Sequence, residues 1–310
     1  MVQRFGILHY PGAQTSAVLG LRDMLEEASR LNTERGGKGP AFQVRILETE
    51  GGLPDSSAAW TALVLPPSLG SALPGDPTGV LTDWLRARHG EGALLCSVCA
   101  GAFLMAETGL LAGRPATTHW GLKAPFTQRF PEVHLDTDRI LIDDGDLVTA
   151  GGLMAWVDLG LRLVDRFLGP EAMLATARHF LVDPGGREQR FYSTFAPVLG
   201  HGDAAVLKAQ TWVQTHSGKK VDVPDMARSA GLGERTFQRR FHRATGMRPT
   251  EYLQHLRIGK ARDLLERTDR AVEEIAWKVG YEDPGAFRKI FIRLMGLSPS
   301  DYRRRFAPRG

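Results

Sequence analysis

The sequence predicts an α/β domain with a doubly wound parallel sheet, followed by an all-α domain built from two helix-turn-helix units. Three observations lead to this prediction. Short apolar runs alternate with helical patterns over the first two thirds of the chain, the net charge changes sign along the chain, and a group of residues near the C-terminus recurs about fifty positions later. A chain of 310 residues is also long enough to form two domains, each with its own core.

Composition places the chain among ordinary globular proteins. Hydrophobic residues make up 43% and charged residues 24%, values that disfavour disordered, coiled-coil and collagen-like classes. The two cysteines, Cys96 and Cys99, are too few for a disulfide-stapled secreted scaffold and fit a reducing compartment. The apolar run at the N-terminus is too short for a signal peptide or a membrane span, so we expect a cytoplasmic protein with no membrane partner.

The charge is distributed unevenly between the two predicted domains. Residues 1–200 contain 17 Lys and Arg against 22 Asp and Glu, whereas residues 201–310 contain 22 against 13. The formal net charge of +4 therefore combines a body at −5 with a C-terminal third at +9. A basic domain attached to an acidic body is typical of polyanion binding, although charge alone also fits a solvated basic face. We place the domains at residues 1–195 and 207–310, joined by a linker at 196–206.

The C-terminal third contains an internal repeat. Two upstream positions, Ala227 and Gly231, recur at an offset of 49 residues as Ala276 and Gly280. Six further positions recur at an offset of 50 residues: Phe237, Phe241, Arg243, Gly246, Pro249 and Tyr252 return as Phe287, Phe291, Arg293, Gly296, Pro299 and Tyr302. A fixed internal period indicates duplicated supersecondary units.

Each copy of the repeat predicts a helix, a tight turn and a second helix. In the first copy Asp222 caps one helix, Gly231 ends it, and the next helix runs over about residues 234–244. In the second copy Gly280 ends a helix and Asp283 opens the next. The two phenylalanines of each copy lie four residues apart and therefore on one face, where they should form the core.

The opposite faces of the second helices carry side chains that can donate to bases in a DNA major groove. Arginine and lysine can bind guanine, glutamine can pair with adenine, and a recognition helix reads bases from its N-terminal half. The candidate base readers are Arg235, Gln238 and Arg239 in the first copy and, beside Gly285, Arg288 and Lys289 in the second. A helix at about 250–267, ~27 Å long, could place both recognition helices in successive major grooves. A helical bundle without a nucleic acid partner is the alternative.

Residues 222–306 resemble the DNA-binding domain of AraC/XylS-type transcription regulators. The resemblance rests on three segments, 235–241 (RTFQRRF), 275–281 (IAWKVGY) and 296–303 (GLSPSDYR). It implies that the partner is double-stranded operator DNA, and that RNA polymerase is a further partner if the protein activates transcription. It also implies base readers at the positions named above, with Arg243 better suited to a phosphate contact.

The first 195 residues alternate short apolar runs with helical patterns, which predicts a parallel sheet with helices on both faces. The predicted strands are residues 5–10, 43–47, 62–65, 93–96 and 115–118, followed by a hairpin of residues 140–143 and 147–149. The predicted helices lie near residues 16–30, 80–88, 101–111, 153–168 and 171–181.

One predicted strand turns sharply into a helix at Cys99. A nucleophile at such an elbow needs small neighbours, here Ala100 and Gly101, and the helix N-terminus would lower the pKa of its thiol. A structural cysteine among small residues is at least as common, so the pattern leaves both readings open. Cys96 and Cys99 also form a C-x-x-C spacing. No second such pair and no H-x₃₋₅-H accompanies it, so we expect no metal and no cofactor.

Residues 1–185 resemble the ThiJ/PfpI-like domains of the class I glutamine amidotransferase-like group, especially those fused to AraC-type modules. The resemblance implies a flavodoxin-like fold. It rests on the segments 10–12 (YPG), 97–104 (SVCAGAFL), 109–114 (GLLAGR), 116–120 (ATTHW) and 149–152 (TAGG). It further implies that Cys99 is the elbow residue and that His119 lies in the segment that approaches it.

Two departures from the family pattern disfavour an enzyme. Ala17 stands where many members have an acidic residue that can hydrogen-bond the elbow thiol. Pro67 lies in a loop that commonly reads Pro-Gly-Gly and helps to form an oxyanion site, and it has no N–H to donate, whereas Ser68 still has one. Catalysis needs an activated nucleophile and a charge-stabilising site, so we expect a ligand-sensing pocket instead. Its residues would be Cys99, Ala100, His119, Ala17 and Ser68.

Together these features predict a ligand-responsive transcription regulator. A small molecule of unknown identity, bound near Cys99, would change the domain arrangement and thereby DNA binding. By family analogy the N-terminal domain would form a homodimer, so that DNA is bound through paired half-sites. Two alternatives stay open. One is a thiol-dependent hydrolase or hydratase acting on an amide or nitrile-like substrate, and the other is a redox sensor based on Cys99.

Overall fold

The computed structural model describes residues 2–307 except 51, 53–58, 71–72, 77 and 186–187. The chain divides into two compact units between Gln189 and Arg190, ahead of the expected domain end at residue 195. A helix that begins at Ala204 takes up the end of the segment expected to be a linker. Within the described residues, no helix is long and apolar enough to cross a membrane.

The first unit is built around a parallel sheet. Its strands are β1 (Val2–His9), β2 (Ala41–Glu48), β3 (Ala62–Leu65), β4 (Leu94–Val98), β5 (Pro115–Ala116), β6 (His134–Leu135), β7 (Leu141–Asp143) and β8 (Leu147–Ala150). Six of them form one sheet in the order β2-β1-β3-β4-β8-β7. All neighbouring pairs in that sheet are parallel except β7 and β8, which form an antiparallel hairpin at one edge.

Helices cover both faces of the six-stranded sheet. They are α1 (Thr15–Glu34), α2 (Val80–Gly90), α3 (Gly101–Glu107), α4 (Lys123–Arg129), α5 (Trp156–Leu168) and α6 (Pro170–Phe180). One apolar cluster joins the sheet to α1, α5 and α6, and a second joins it to α2, α3 and α4. Alternate residues of a strand point to opposite faces, so Cys96 belongs to the first cluster and Leu95 to the second. The predicted doubly wound α/β fold is confirmed.

The prediction of a strand over residues 115–118 is wrong in extent and in place. Only Pro115 and Ala116 are in a strand, and that strand pairs with β6 in a separate two-stranded sheet. The next two residues are engaged elsewhere. Thr117 donates its backbone N–H to Thr149 Oγ1 at 2.8 Å, and Thr118 donates its hydroxyl to the Cys99 carbonyl at 2.7 Å. These bonds direct the chain toward the elbow instead of along the sheet.

The second unit consists of helices. They are α7 (Ala204–His216), α8 (Val223–Ala230), α9 (Glu234–Thr245), α10 (Pro249–Arg267), α11 (Val272–Lys278), α12 (Pro284–Met295) and α13 (Pro299–Phe306). The helices α9 and α12 start and end 50 residues apart, as the sequence repeat predicts. Each is the second helix of a helix-turn-helix unit, so the duplicated all-α domain is confirmed.

Each helix-turn-helix unit has its own apolar core. One core contains Phe237 and Phe241, and the other contains Phe287 and Phe291, all four fully buried. Helix α10 contributes to both cores, since Tyr252 packs in the first and residues further along the helix pack in the second. The two units are therefore joined by a shared helix whose opposite ends lie in different cores.

Candidate nucleic-acid interface and small-molecule cavity

The first helix-turn-helix unit is fixed by local capping and a left-handed glycine. Asp222 accepts a bond from the Asp225 N–H at 2.8 Å, and Asp225 accepts one from the Asp222 N–H at 3.2 Å, so that α8 begins with a capping box. Gly231 then takes φ +69°, a conformation that other residues rarely adopt, and ends the helix. This turn sets the direction of α9.

The outward face of α9 is basic and unoccupied. Arg235, Gln238, Arg239 and Arg243 are all exposed, while the phenylalanines between them are buried. In the described part of the chain none of these four side chains has a hydrogen-bond or ion-pair partner. Guanidinium and amide donors held free on a rigid helix can meet base edges and phosphates without first breaking an internal bond.

Arg240 lies on the other side of the same helix and has a different role. Its guanidinium pairs with both carboxylate oxygens of Asp203, at 2.7 and 2.9 Å, and this pairing holds the pKa of Asp203 at about 2. Asp203 also caps α7. This arginine therefore ties α9 to α7 and is not available to DNA.

The second helix-turn-helix unit presents a less basic recognition helix. Asp283 caps α12 through the N–H groups of Gly285 and Ala286, at 2.8 and 3.0 Å. Arg288 and Lys289 are exposed as expected, but Arg288 donates to Glu273 Oε1 at 2.6 Å. This acidic partner lies fifteen residues earlier on α11, and no motif in the sequence indicates it. The two expected base readers of this unit therefore differ in their availability to DNA. Among the described groups Arg288 is paired with Glu273, whereas Lys289 has no partner.

The α/β unit carries its own candidate site at the elbow between β4 and α3. Cys99 has φ +52°, a left-handed conformation that costs energy for a residue with a Cβ. Its backbone is held on two sides, since its N–H donates to the Ala150 carbonyl at 2.8 Å and its carbonyl accepts from Thr118. Gly101 allows the close approach that follows, because a Cβ there would lie 2.4 Å from the Leu65 carbonyl oxygen.

A cavity of about 210 Å³ opens at this elbow. It brings together four of the five expected ligand-binding residues, Ser68, Cys99, Ala100 and His119, with an apolar wall that includes Leu122 and Leu153. The fifth, Ala17, lies on α1 in the core and is not among the residues that line the cavity. No charged carboxylate or ammonium group lines it among the described residues.

The expectation that the helix N-terminus lowers the pKa of the Cys99 thiol is wrong. Burial is the dominant influence and raises the pKa to about 11, while the Ala100 N–H acts in the opposite direction more weakly. Desolvation disfavours the thiolate, and the seven-residue α3 does not compensate for it. Cys99 is therefore a neutral thiol near pH 7.

His119, which lines the cavity, keeps one ring nitrogen free of the bond made by the other. Its Nδ1 accepts from the Gly121 N–H at 3.0 Å, which leaves the ring proton on Nε2. Burial lowers the pKa of His119, so the ring is neutral near pH 7. Over the described residues the Cys99 thiol makes no hydrogen bond to a histidine or a carboxylate, and the pair is not assembled as nucleophile and base.

The loop after β3 supplies a second donor. Ala13 and Ser68 face each other between two bonds, from Gln14 N–H to Pro67 O at 2.7 Å and from Leu69 N–H to Gly12 O at 2.9 Å. In such a pair the backbone groups of the central residues point away from each other. The Ser68 N–H therefore points away from Ala13 and has no partner among the described groups. Neutral donors around an apolar wall suit a small ligand with acceptor oxygens.

No group of three or more metal-ligating side chains occurs in the described ranges. Both cysteines are free and buried, with Cys96 fully enclosed within strand β4 and Cys99 at the cavity wall.

Two family profiles match the chain. The profile of the DJ-1/PfpI family matches residues 56–166, and a helix-turn-helix domain profile matches residues 226–305. The first covers the elbow and the strands β3, β4, β7 and β8 of the six-stranded sheet, and the second covers both recognition helices.

Similar proteins carry the same combination. The chain is 28% identical to the HTH-type transcriptional regulator CdhR of Pseudomonas aeruginosa, over 73% of this chain and 67% of that one. It is 25% identical to the HTH-type transcriptional regulator ArgR of the same species, over 97% of this chain and 93% of that one. The crystal structure of an AraC family transcriptional regulator from Pseudomonas putida matches 57% of this chain and 99% of that one, with a TM-score of 0.50 and 18% identity, which shows the fold alone.

An α/β domain with a cysteine elbow, followed by a duplicated helix-turn-helix domain with a basic outer face, defines a class of two-domain DNA-binding proteins. The matched profiles and relatives specify it further. The chain combines a DJ-1/PfpI domain with an AraC-type helix-turn-helix domain, and it is similar to HTH-type transcriptional regulators of this architecture.

Proposed function

We propose that this regulator binds operator DNA sequence-specifically through α9 and α12. The observation that carries the proposal is the free basic face of α9, where Arg235, Gln238 and Arg239 stand exposed around a buried phenylalanine pair. Arg243, near the end of α9, would meet phosphate, and Lys289 on α12 would reach a second DNA segment. Arg288 would contribute to binding of that second segment once its ion pair with Glu273 is broken.

Selection from a random DNA library with the full-length protein tests this part of the proposal. We expect enrichment of a site with two short conserved segments about one helical turn apart, because the recognition helices would enter successive major grooves. Binding should weaken steeply with salt, as it does when phosphates are neutralised. A library that shows no enrichment would refute sequence-specific binding.

We further propose that the elbow cavity binds a small-molecule effector. Its volume of about 210 Å³ corresponds to roughly seven water molecules, enough for a small metabolite. The Ser68 N–H and the His119 Nε2–H would donate to acceptor oxygens of the ligand, and Leu153 would pack on its apolar part. The effector would act by binding one domain arrangement more tightly than another, and its binding would change DNA affinity accordingly.

A mixed panel of amino acids, sugars and short carboxylic acids is a practical probe for this cavity. Each compound is scored by the increase in melting temperature of wild type and of Leu153→Trp, which fills the cavity from its wall. A compound that stabilises wild type but not Leu153→Trp supports the site. Compounds that stabilise both proteins equally bind elsewhere, and that result would count against the cavity.

Self-association and location complete the proposal. The family resemblance supports a homodimer formed through the N-terminal domain, which would double the number of DNA segments read by one particle. Sedimentation equilibrium on the full chain distinguishes a dimer from a monomer. A regulator that reads DNA acts in the cytoplasm, and RNA polymerase would be its partner if it activates transcription.

A thiol-dependent hydrolase or hydratase is the second candidate, and the left-handed φ of Cys99 is the observation that favours it. Such strain is typical of nucleophile elbows. The neutral thiol, the unassembled His119 and the alanine at position 17 favour the regulatory role instead. A redox sensor would also require a reactive thiolate at Cys99, which burial disfavours.

A further inference from the structure

One arginine connects the two helix-turn-helix units near the middle of α10. Arg257 donates from Nε to the Ser217 carbonyl and from Nη2 to the Lys219 carbonyl, both at 2.9 Å. Ser217 is the fully buried residue that ends α7. Helix α7 packs through Val213 in the core of the first helix-turn-helix unit. The guanidinium thus holds the carboxyl end of α7 against the shared helix.

The same guanidinium contacts the turn between α11 and α12 in the second helix-turn-helix unit. It lies over the ring of Tyr281, 5.3 Å from the centroid, and Tyr281 packs against the core that contains Phe287. Next to it Gly280 takes φ +94°, and a Cβ there would lie 2.6 Å from the Ser217 carbonyl oxygen and 2.9 Å from Arg257 Nη2. The turn between α11 and α12 therefore touches the end of α7 directly.

A lysine one turn further along α10 strengthens this contact. Lys260 donates from Nζ to the Gln214 carbonyl and to Ser217 Oγ, both at 2.7 Å. Unpaired carbonyls at a helix end carry partial negative charge, so two cations from one helix fix the end of another. Half-buried Arg257 is the central member, since its guanidinium contacts the end of α7 in one unit and the ring of Tyr281 in the other.

This arrangement bears on the two recognition helices. Helix α7 packs with α9 in the first core, and the Gly280 turn leads into α12 in the second. Without Arg257, the two units would be held together by α10, which is a single helix that can bend, by the close approach of Gly280 to Ser217 and by the exposed ion pair of Lys220 with Glu282. With it, a further connection lies off the axis of α10 and restricts both bending and rotation.

We propose that Arg257 is a positioning residue that sets the offset between α9 and α12, and thereby the number of base pairs between the two DNA segments that they read. This rests on the proposed function, because it presumes that both helices enter the same DNA. Arg257 itself does not touch DNA. Its role is to make the protein intolerant of a wrongly spaced site.

The experiment compares spacing preference in full-length proteins. Sites selected by wild type are rebuilt with one base pair inserted or removed between the two segments, and binding is measured for wild type, Arg257→Met and Arg267→Met. Arg267 is the matched control, since it is exposed near the end of the same helix. We expect wild type and Arg267→Met to lose about tenfold in affinity on each altered site, because a misplaced helix loses a base contact.

Arg257→Met should bind the altered sites within about threefold of the original one, with unchanged base preference inside each segment. A merely structural arginine would lower the melting temperature without changing the spacing ratio, so an unchanged tenfold ratio in folded Arg257→Met overturns the inference. A wild type that selects no sequence at all would overturn the proposed DNA reading itself. A wild type that selects one segment only would overturn this inference and leave DNA reading intact.

Arg257→Lys covers the case in which the methionine variant does not fold. Lysine keeps the positive charge but cannot span both carbonyls and stack on Tyr281 with a planar group. We expect a spacing ratio between those of wild type and Arg257→Met, and a wild-type ratio in Arg257→Lys contradicts the inference. Near-ultraviolet circular dichroism establishes that each variant is folded.

Discussion

Arg288 on the second recognition helix is paired with Glu273 on the preceding helix, with 2.6 Å between guanidinium nitrogen and carboxylate oxygen. Both side chains are about half exposed, at 54% and 44%. An exposed pair of this kind contributes only ~0.2–1 kcal/mol, so a DNA base or phosphate can compete for the arginine. The pair therefore reduces the contribution of α12 to DNA binding without abolishing it.

We predict that Glu273→Gln tightens DNA binding and sharpens base preference in the second DNA segment. Releasing Arg288 from a pair worth up to ~1 kcal/mol corresponds to an increase in affinity of up to about fivefold. Competition binding with a panel of singly altered sites measures both effects.

Glu274→Gln is the control for that prediction. Glu274 is an exposed neighbour that lies 4.0 Å from Arg270 and does not contact Arg288. Removing its charge should strengthen binding to all DNA equally through weaker repulsion of phosphate. If both variants changed affinity uniformly and neither changed base preference, the Glu273 pair would have no role in reading bases.

We predict that Arg239→Ala relaxes base preference at one position of the first segment. Arg239 is exposed and free on α9, and a good bidentate contact discriminates against a wrong base by ~1–3 kcal/mol. Lys208→Ala provides a comparison, since Lys208 is an exposed cation on α7. Arg239→Ala should weaken operator binding far more than random binding. Unchanged discrimination between operator and random DNA would remove Arg239 from the base readers.

Much of this architecture can be predicted from local sequence. Asp222 and Gly231 determine where α8 begins and ends through bonds within a few residues, and the phenylalanine spacing shows which face is buried. The elbow at Cys99 is equally local, because small residues must follow a strand that turns directly into a helix. Such features depend on neighbours in the chain, which the sequence shows.

Other features depend on partners that are distant in the chain. Nothing near Arg288 indicates that Glu273 will face it, and nothing near Arg257 indicates that it will meet both Ser217 and Tyr281. The thiol of Cys99 shows the same limit, since its pKa depends on how fully the sheet and loops exclude water. The sequence motif reveals the helix N-terminus but not the competing burial.

We predict that Gly101→Ala destabilises the α/β unit. A Cβ at this position would lie 2.4 Å from the Leu65 carbonyl oxygen and 2.8 Å from that of Pro66, and backbone atoms cannot move aside easily. The cost should be at least ~2 kcal/mol, as for other changes that overpack a core. Denaturant unfolding followed by tryptophan fluorescence measures it.

Gly90→Ala is the matched control for Gly101→Ala. Gly90 ends α2, and a Cβ there would have nothing within 4 Å. Alanine at that position should be neutral or stabilising by up to ~1 kcal/mol, since it restricts the unfolded chain. Equal stability of the two variants would show that the elbow can shift to accept a side chain.

We predict that the Cys99 thiol reacts with iodoacetamide slowly at neutral pH and faster with each increase in pH. Burial raises its pKa to about 11, above the ordinary value, so only about one thiol in a thousand is ionised at pH 8. The rate should rise about tenfold per pH unit and level off only near pH 11, provided that the protein stays folded. Cys99→Ser retains only the fully buried Cys96, whose pKa burial raises further, and should react more slowly still. A rate that already levels off between pH 7 and 8 would mean that the elbow stabilises a thiolate, and the hydrolase and redox candidates would then displace the sensing role at this residue.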